Sequence, residues 1–242
     1  MKFRLVLLIA AFASCGTITS QAVEPVLEFN ENPVSYSMHI CSDGAYYYTV
    51  NGGVPEDGSL FKYTLQGQLV KAFPLKLDMR GIMYNGKDKC LYVNTVDKKI
   101  FKIIDINAGT YELLFENLYD NEQSSLSMDA KGKYIYSFNN GALSIYKFKT
   151  GELVKVLAGL KCGDGNRKGS GTVVVVDDYI YTWDSDLKTV YVYNYDGIFV
   201  KSFILKSGDL GYSLSQANGL IFVSHSPKGK KSTWYGYDLL KK

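Results

Sequence analysis

The chain has 242 residues, 46% of them from the apolar set AVILMFWYC, with 27 Lys and Arg against 24 Asp and Glu. That length fits one large all-β domain or two small ones, and the near balance of charge excludes the strong basic excess that a nucleic-acid partner calls for. Aromatic residues make up 14% and are dominated by 20 Tyr; Tyr suits a half-buried pleated surface because its ring packs while its hydroxyl stays paired or wet.

The N-terminus has the pattern of an export signal. Lys2 and Arg4 form a basic start, an apolar run from Leu5 to Ser14 follows, and Ser20-Gln21-Ala22 places small residues where a signal peptidase cuts. Cleavage after Ala22 leaves 25 bases against 24 acids in one domain, residues 23–242. The apolar run is shorter than the ~20 residues that span a bilayer, so the product is expected to be exported, periplasmic or extracellular, with no transmembrane segment. The alternative leader makes Cys15 a lipid-bearing first residue, because Phe12-Ala13-Ser14-Cys15 is similar to a lipoprotein box.

Two interleaved turn series then recur along the chain. Early turns fall at Gly44, Gly86, Gly132, Asp178 and Gly219, separated by 42, 46, 46 and 41 residues. Late turns fall at Gly67, Gly109, Gly151 and Gly197, separated by 42, 42 and 46. Each unit reads as four short strands. The first leads into the early turn (Ser125–Met128), and the second is a Tyr-rich run (Tyr134–Tyr136, Tyr179–Tyr181). The third enters the late turn (Val190–Tyr193), and the fourth leaves it (Val70–Phe73, Val154–Leu157, Val200–Phe203). Tyr111–Leu118 occupies the fourth-strand slot of unit two. Apolar residues at successive positions predict sheets buried on both faces, and the Lys in the fourth strand predicts a guarded outer edge. Four-stranded units at a period of 40–50 residues indicate a propeller.

The fifth unit runs out of chain after its third strand, near Ser232–Leu239. The segment Val26-Leu27-Glu28-Phe29 repeats the Val-x-x-Phe spacing of Val70–Phe73 and Val200–Phe203. It is expected to supply the missing strand, giving an all-β, five-bladed β-propeller of four-stranded antiparallel blades whose last blade is closed by an N-terminal strand. An open stack would leave two apolar blade faces in water at ~25 cal/mol per Å². The pattern carried by Gly132–Tyr136, Val190–Gly197 and Val200–Phe203 resembles NHL and YVTN-type propeller repeats. That resemblance implies a toroid with a central channel and no particular activity.

Local chemical motifs are scarce. His39 and His225 lie outside zinc spacing, and no Gly-x-Ser-x-Gly elbow is present. The Gly-rich loop Lys161–Ser170 lacks the Gly-Lys-Ser/Thr ending of a phosphate loop and is expected to be a solvated insertion. Asp184-Ser185-Asp186 lacks the Gly and distant Glu of a calcium loop and is expected to form a turn, as is Asp177-Asp178. Of the three cysteines beyond the leader, Cys41 and Cys90 sit near the same turn in neighbouring units and are the pair expected to bridge if one disulfide forms, leaving Cys162 free.

In a propeller, the fourth-to-first and second-to-third strand loops share one face. Here that face gathers Tyr36, Arg80, Tyr119, Asp120, Arg167, Trp183, Asp184, Tyr212 and His225. Aromatic and Arg groups with little net charge suit recognition of a protein or a carbohydrate. The expected function is therefore a monomeric, non-catalytic binding propeller without a cofactor. The alternative is a metal-dependent hydrolase or lactonase-like enzyme holding a divalent cation in the channel.

Overall fold

A computed structural model describes residues 22–31, 36–227 and 230–240. The leader as far as Gln21, with Cys15, lies outside them. The described part is all-β, apart from two short 3-10 turns at Pro55–Asp57 and Asn166–Lys168.

Strand β1 (Leu27–Glu31) comes first. Four blades follow in chain order. Blade 1 is β2 (Tyr36–Ser42), β3 (Tyr46–Gly52), β4 (Ser59–Thr64) and β5 (Leu69–Pro74). Blade 2 is β6 (Met79–Asn85), β7 (Cys90–Thr95), β8 (Lys99–Asp105) and β9 (Thr110–Glu116). Blade 3 is β10 (Ser127–Met128), β11 (Tyr134–Asn139), β12 (Ala142–Lys147) and β13 (Leu153–Leu157). Blade 4 is β14 (Val173–Val176), β15 (Tyr179–Asp184), β16 (Thr189–Asn194) and β17 (Phe199–Ile204). Blade 5 takes β18 (Ser215–Ala217), β19 (Leu220–His225) and β20 (Ser232–Tyr237) from the end of the chain and β1 from its beginning, in the order β1-β20-β19-β18.

The turns explain the period. Gly67, Gly109, Gly151 and Gly197 all have φ between 65° and 83°, a left-handed conformation that costs glycine least. Gly67 is constrained twice, because a Cβ there would come within 2.2 Å of the Phe29 side chain.

The core is divided among the blade interfaces. Met38, Val50 and Leu60 pack on Met79, Ile82 and Val93 between blades 1 and 2. Separate clusters fill the joints between blades 2 and 3, 3 and 4, and 4 and 5. The fifth joint closes the ring, with Phe29, Phe222 and Trp234 of blade 5 packed on Ile40, Tyr47 and Tyr63 of blade 1. Here β1 pairs antiparallel with β20, Phe29 opposite Trp234. The buried Glu31 carboxylate accepts hydrogen bonds from Trp234 Nε1 at 2.6 Å and from Thr49 Oγ1 of blade 1. Its burial raises its pKa above the usual carboxylate range despite these bonds. The residues before β1 also pair with the edge of blade 4, Val23 N donating to Ile204 O at 2.7 Å and Lys206 N to Val23 O at 3.1 Å.

Two expectations are corrected. Burial on both faces holds for inner strands such as β2 and β3 but fails for the outermost ones, where Leu69, Val70, Leu153, Val154, Phe199 and Val200 are exposed. Blades splay apart with radius, so the outer strands have no neighbour to cover them. The Cys41–Cys90 bridge does not form, and Cys41, Cys90 and Cys162 are free. Cys41 is packed between blades 1 and 2 and Cys90 between blades 2 and 3, so the sheet of blade 2 lies between them. The Lys161–Ser170 loop is solvated as expected, exposed at Lys161, Asp164, Gly165, Arg167 and Lys168, while Gly163, Gly169 and Ser170 are buried. Its backbone is held by Gly163 N to Trp183 O (3.0 Å), Asn140 N to Ser170 O (3.0 Å) and Gly211 N to Arg167 O (3.0 Å), which ties blades 3, 4 and 5 together. Among the described residues no helix is long and apolar enough to cross a membrane.

Candidate functional site

The five innermost strands, β2, β6, β10, β14 and β18, line the axis, and the chain just before each of them converges on one mouth. A cup of ≈ 260 Å³ opens there. Blade 1 contributes Tyr36 and Met38, blade 2 Arg80, blade 3 Gln123, the loop before β14 Arg167, and the loop before β18 Tyr212. Four of these, Tyr36, Arg80, Arg167 and Tyr212, are among the nine residues expected on the loop face.

The floor of the cup is closed by hydrogen bonds between innermost strands. Ser125 Oγ lies 2.7 Å from Arg80 O of blade 2 and 3.0 Å from Tyr212 O of blade 5. Blades 3 and 5 are not neighbours, so the second contact crosses the axis. Thr172 Oγ1 donates to Leu214 O at 2.8 Å. The open channel implied by the repeat resemblance is therefore sealed at this level. Below it sits a second cavity of only ≈ 70 Å³, beside His39 and Gln216. His39 Nδ1 lies 3.0 Å from Ile82 O, and burial lowers the imidazole pKa to about 4. Among the described residues no three His, Cys, Asp or Glu side chains come together as a metal site.

Arg80 is a floor residue more than a hand for ligand. Its guanidinium is chelated by both oxygens of Asp78, its Nε donates to Gln123 Oε1 at 2.9 Å, and Nη1 also reaches Met79 O at 3.3 Å. The ion pair is shielded, with both side chains about nine-tenths buried. This packing requires Gly52, since a Cβ there would come within 2.4 Å of Arg80 Nη1. Arg167 differs. It is exposed, its backbone is fixed by Gly211, and it pairs with no carboxylate among the described residues. Its neighbour Lys168 is already paired with Asp186 at 2.6 Å.

The other five expected residues do not line the cup. Trp183 is fully buried in the joint between blades 4 and 5, among Val174, Val190 and Leu214. Tyr119 is buried too; its hydroxyl donates to Thr95 O at 2.9 Å and accepts from Asn94 Nδ2 at 3.1 Å, and burial raises its pKa. Asp184 caps its own turn by accepting from the backbone N–H of Asp186 and Leu187. Asp120 is exposed away from the lining. His225 stands outside the cup, paired with Asp209 at 2.7 Å.

Gln123, Met38, Gly52, Gly53 and Leu210 line the cup and were missed. Gln123 had a legible signal, because it precedes the first strand of unit three much as Arg80 and Tyr212 accompany the first strands of theirs. Compared with known proteins, the chain matches no protein-family model, and no curated protein sequence matches it.

Proposed function

We propose that this protein is an exported, non-catalytic recognition propeller that binds a glycan or a protein, one residue of the partner entering the axial cup. The observation that carries this reading is the cup itself, a concave site built from all five blades and lined by Tyr36, Tyr212 and Arg167 over a rigid Arg80–Asp78 floor. Recognition residues are characteristically aromatic or Arg, presented by loops on a rigid scaffold. At ≈ 260 Å³ the cup is just under the ~300–1,000 Å³ of drug-sized ligand pockets, which suits one ring or side chain of a larger partner. The basic start and apolar run ahead of Ala22 support export, and the repeat pattern supports a blade design of NHL or YVTN type.

A glycan array of neutral and acidic oligosaccharides tests the reading. Binding is expected for the native chain and is expected to disappear in a Tyr36→Ala, Tyr212→Ala double variant that keeps the native melting temperature. Capture that survives the double substitution would remove the cup as the site.

A further inference from the structure

We infer that the cup selects an acidic sugar, with the carboxylate of a hexuronate-type residue meeting the Arg167 guanidinium while its ring lies against Tyr36 and Tyr212. This deepens the recognition reading above and rests on it.

Charge comes first. The cup has two cations, but only one is unspent. Arg80 is neutralised by Asp78. At the rim, Lys168 is paired with Asp186 and Asp209 is turned to His225. Arg167 is left as the group without a described ionic partner beside the cup. A guanidinium offers a planar fork of donors that matches a carboxylate in two parallel hydrogen bonds.

Position comes second. Arg167 belongs to a loop whose backbone is fastened to a neighbouring blade, Gly211 N donating to Arg167 O at 3.0 Å. Gly211 admits no side chain there, because a Cβ would come within 2.1 Å of that oxygen. The guanidinium stem therefore starts from a fixed point at the mouth, which reduces the ordering cost of engaging a ligand.

Size and surface come third. A carboxylate alone, or an Asp or Glu side chain, would pair with Arg167 but leave most of the ≈ 260 Å³ unfilled. A pyranose ring bearing a carboxylate fills more of it. Its apolar face can lie on the Tyr rings, and its hydroxyls can reach the Tyr hydroxyls and the Gln123 amide.

The test is an NMR titration of the exported chain with galacturonate, galactose and N-acetylglutamate, following the cup resonances. Galacturonate is expected to bind at least about tenfold more tightly than galactose, the difference a charge-assisted hydrogen-bonded pair supplies. Arg167→Gln is expected to abolish that ratio without shifting the melting temperature. Equal affinity for the two sugars, both lost in Tyr212→Ala, would overturn the charge selectivity and leave the recognition reading standing. Tighter binding of N-acetylglutamate would reassign the cup to an acidic protein segment. Silence of the cup toward all three probes would overturn the inference, while the array decides the recognition reading separately.

Discussion

Arg80 and Arg167 are both arginines near the start of a repeat, Arg167 with Lys168 beside it. Their surroundings separate them. Asp78 and Gln123 saturate most of the Arg80 donors, so the group braces the cup floor, whereas Arg167 keeps its fork for a ligand. His39 shows the same dependence on surroundings. It is packed against the axis beside Ile82, and burial holds its pKa near 4 instead of 6.5. The folded state therefore binds fewer protons than the unfolded chain between those values, so the His39 contribution is whole above pH 6.5 and is lost as pH falls toward 4. A shift of that size corresponds to about 3 kcal/mol. Thermal melting from pH 7 to 4 is expected to show this loss, and His39→Gln should flatten that part of the profile. An unchanged slope in the variant would show that the imidazole does not titrate in this window.

At the scale of the element, β1 decides whether the ring is closed. It is short, yet it and the residues just before it make three concentrated sets of contacts. Phe29 enters the aromatic cluster with Tyr47 and Phe222, Glu31 bonds across to Thr49 of blade 1 and to Trp234 of β20, and Val23 pins the edge of blade 4. Removing residues 22–31 uncovers Trp234 and leaves its Nε1 without the Glu31 carboxylate. The expected outcome is loss of the single cooperative melting transition, restored by adding a synthetic peptide of residues 22–31. A truncated chain that melts like the native one would contradict closure by this strand. The outer strands behave differently. β5, β13 and β17 expose Val, Leu and Phe side chains because the blades diverge there, and Lys71 and Lys201 fold back over Phe73 and Phe203 with Nζ 4.9 and 5.1 Å from the ring centres.

At the scale of the molecule, five interface clusters and a sealed axis make one rigid ring with a blind cup at one end. The ring also governs the thiols. Cys41 is buried between two blades, and burial pushes its thiol pKa up, whereas Cys90 and Cys162 are partly accessible. A colorimetric thiol reagent is therefore expected to titrate Cys90 and Cys162 in the native protein and Cys41 only after denaturation, with no extra thiol released by reductant. Release of two more thiols on reduction would point to a bridge.

The sequence by itself determined the number of blades, their strand order and the closing strand. Those features are written in local turns, Gly67, Gly109, Gly151 and Gly197 at one period, and in the Val-x-x-Phe spacing that β1 shares with β5 and β17. The cup was legible only in part. Loop position along the repeat marked Tyr36, Arg80, Arg167 and Tyr212, but the same rule also collected Trp183 and Tyr119. Whether a ring near a strand end turns toward the axis or into the joint between blades depends on the neighbouring sheet, which linear order does not specify. The closed axis and the separation of Cys41 from Cys90 by a whole sheet were likewise decided by tertiary structure, because they involve residues about 40 or more positions apart; the Arg80–Asp78 pair is local, two positions apart, and only the Gln123 bond to Arg80 is long-range.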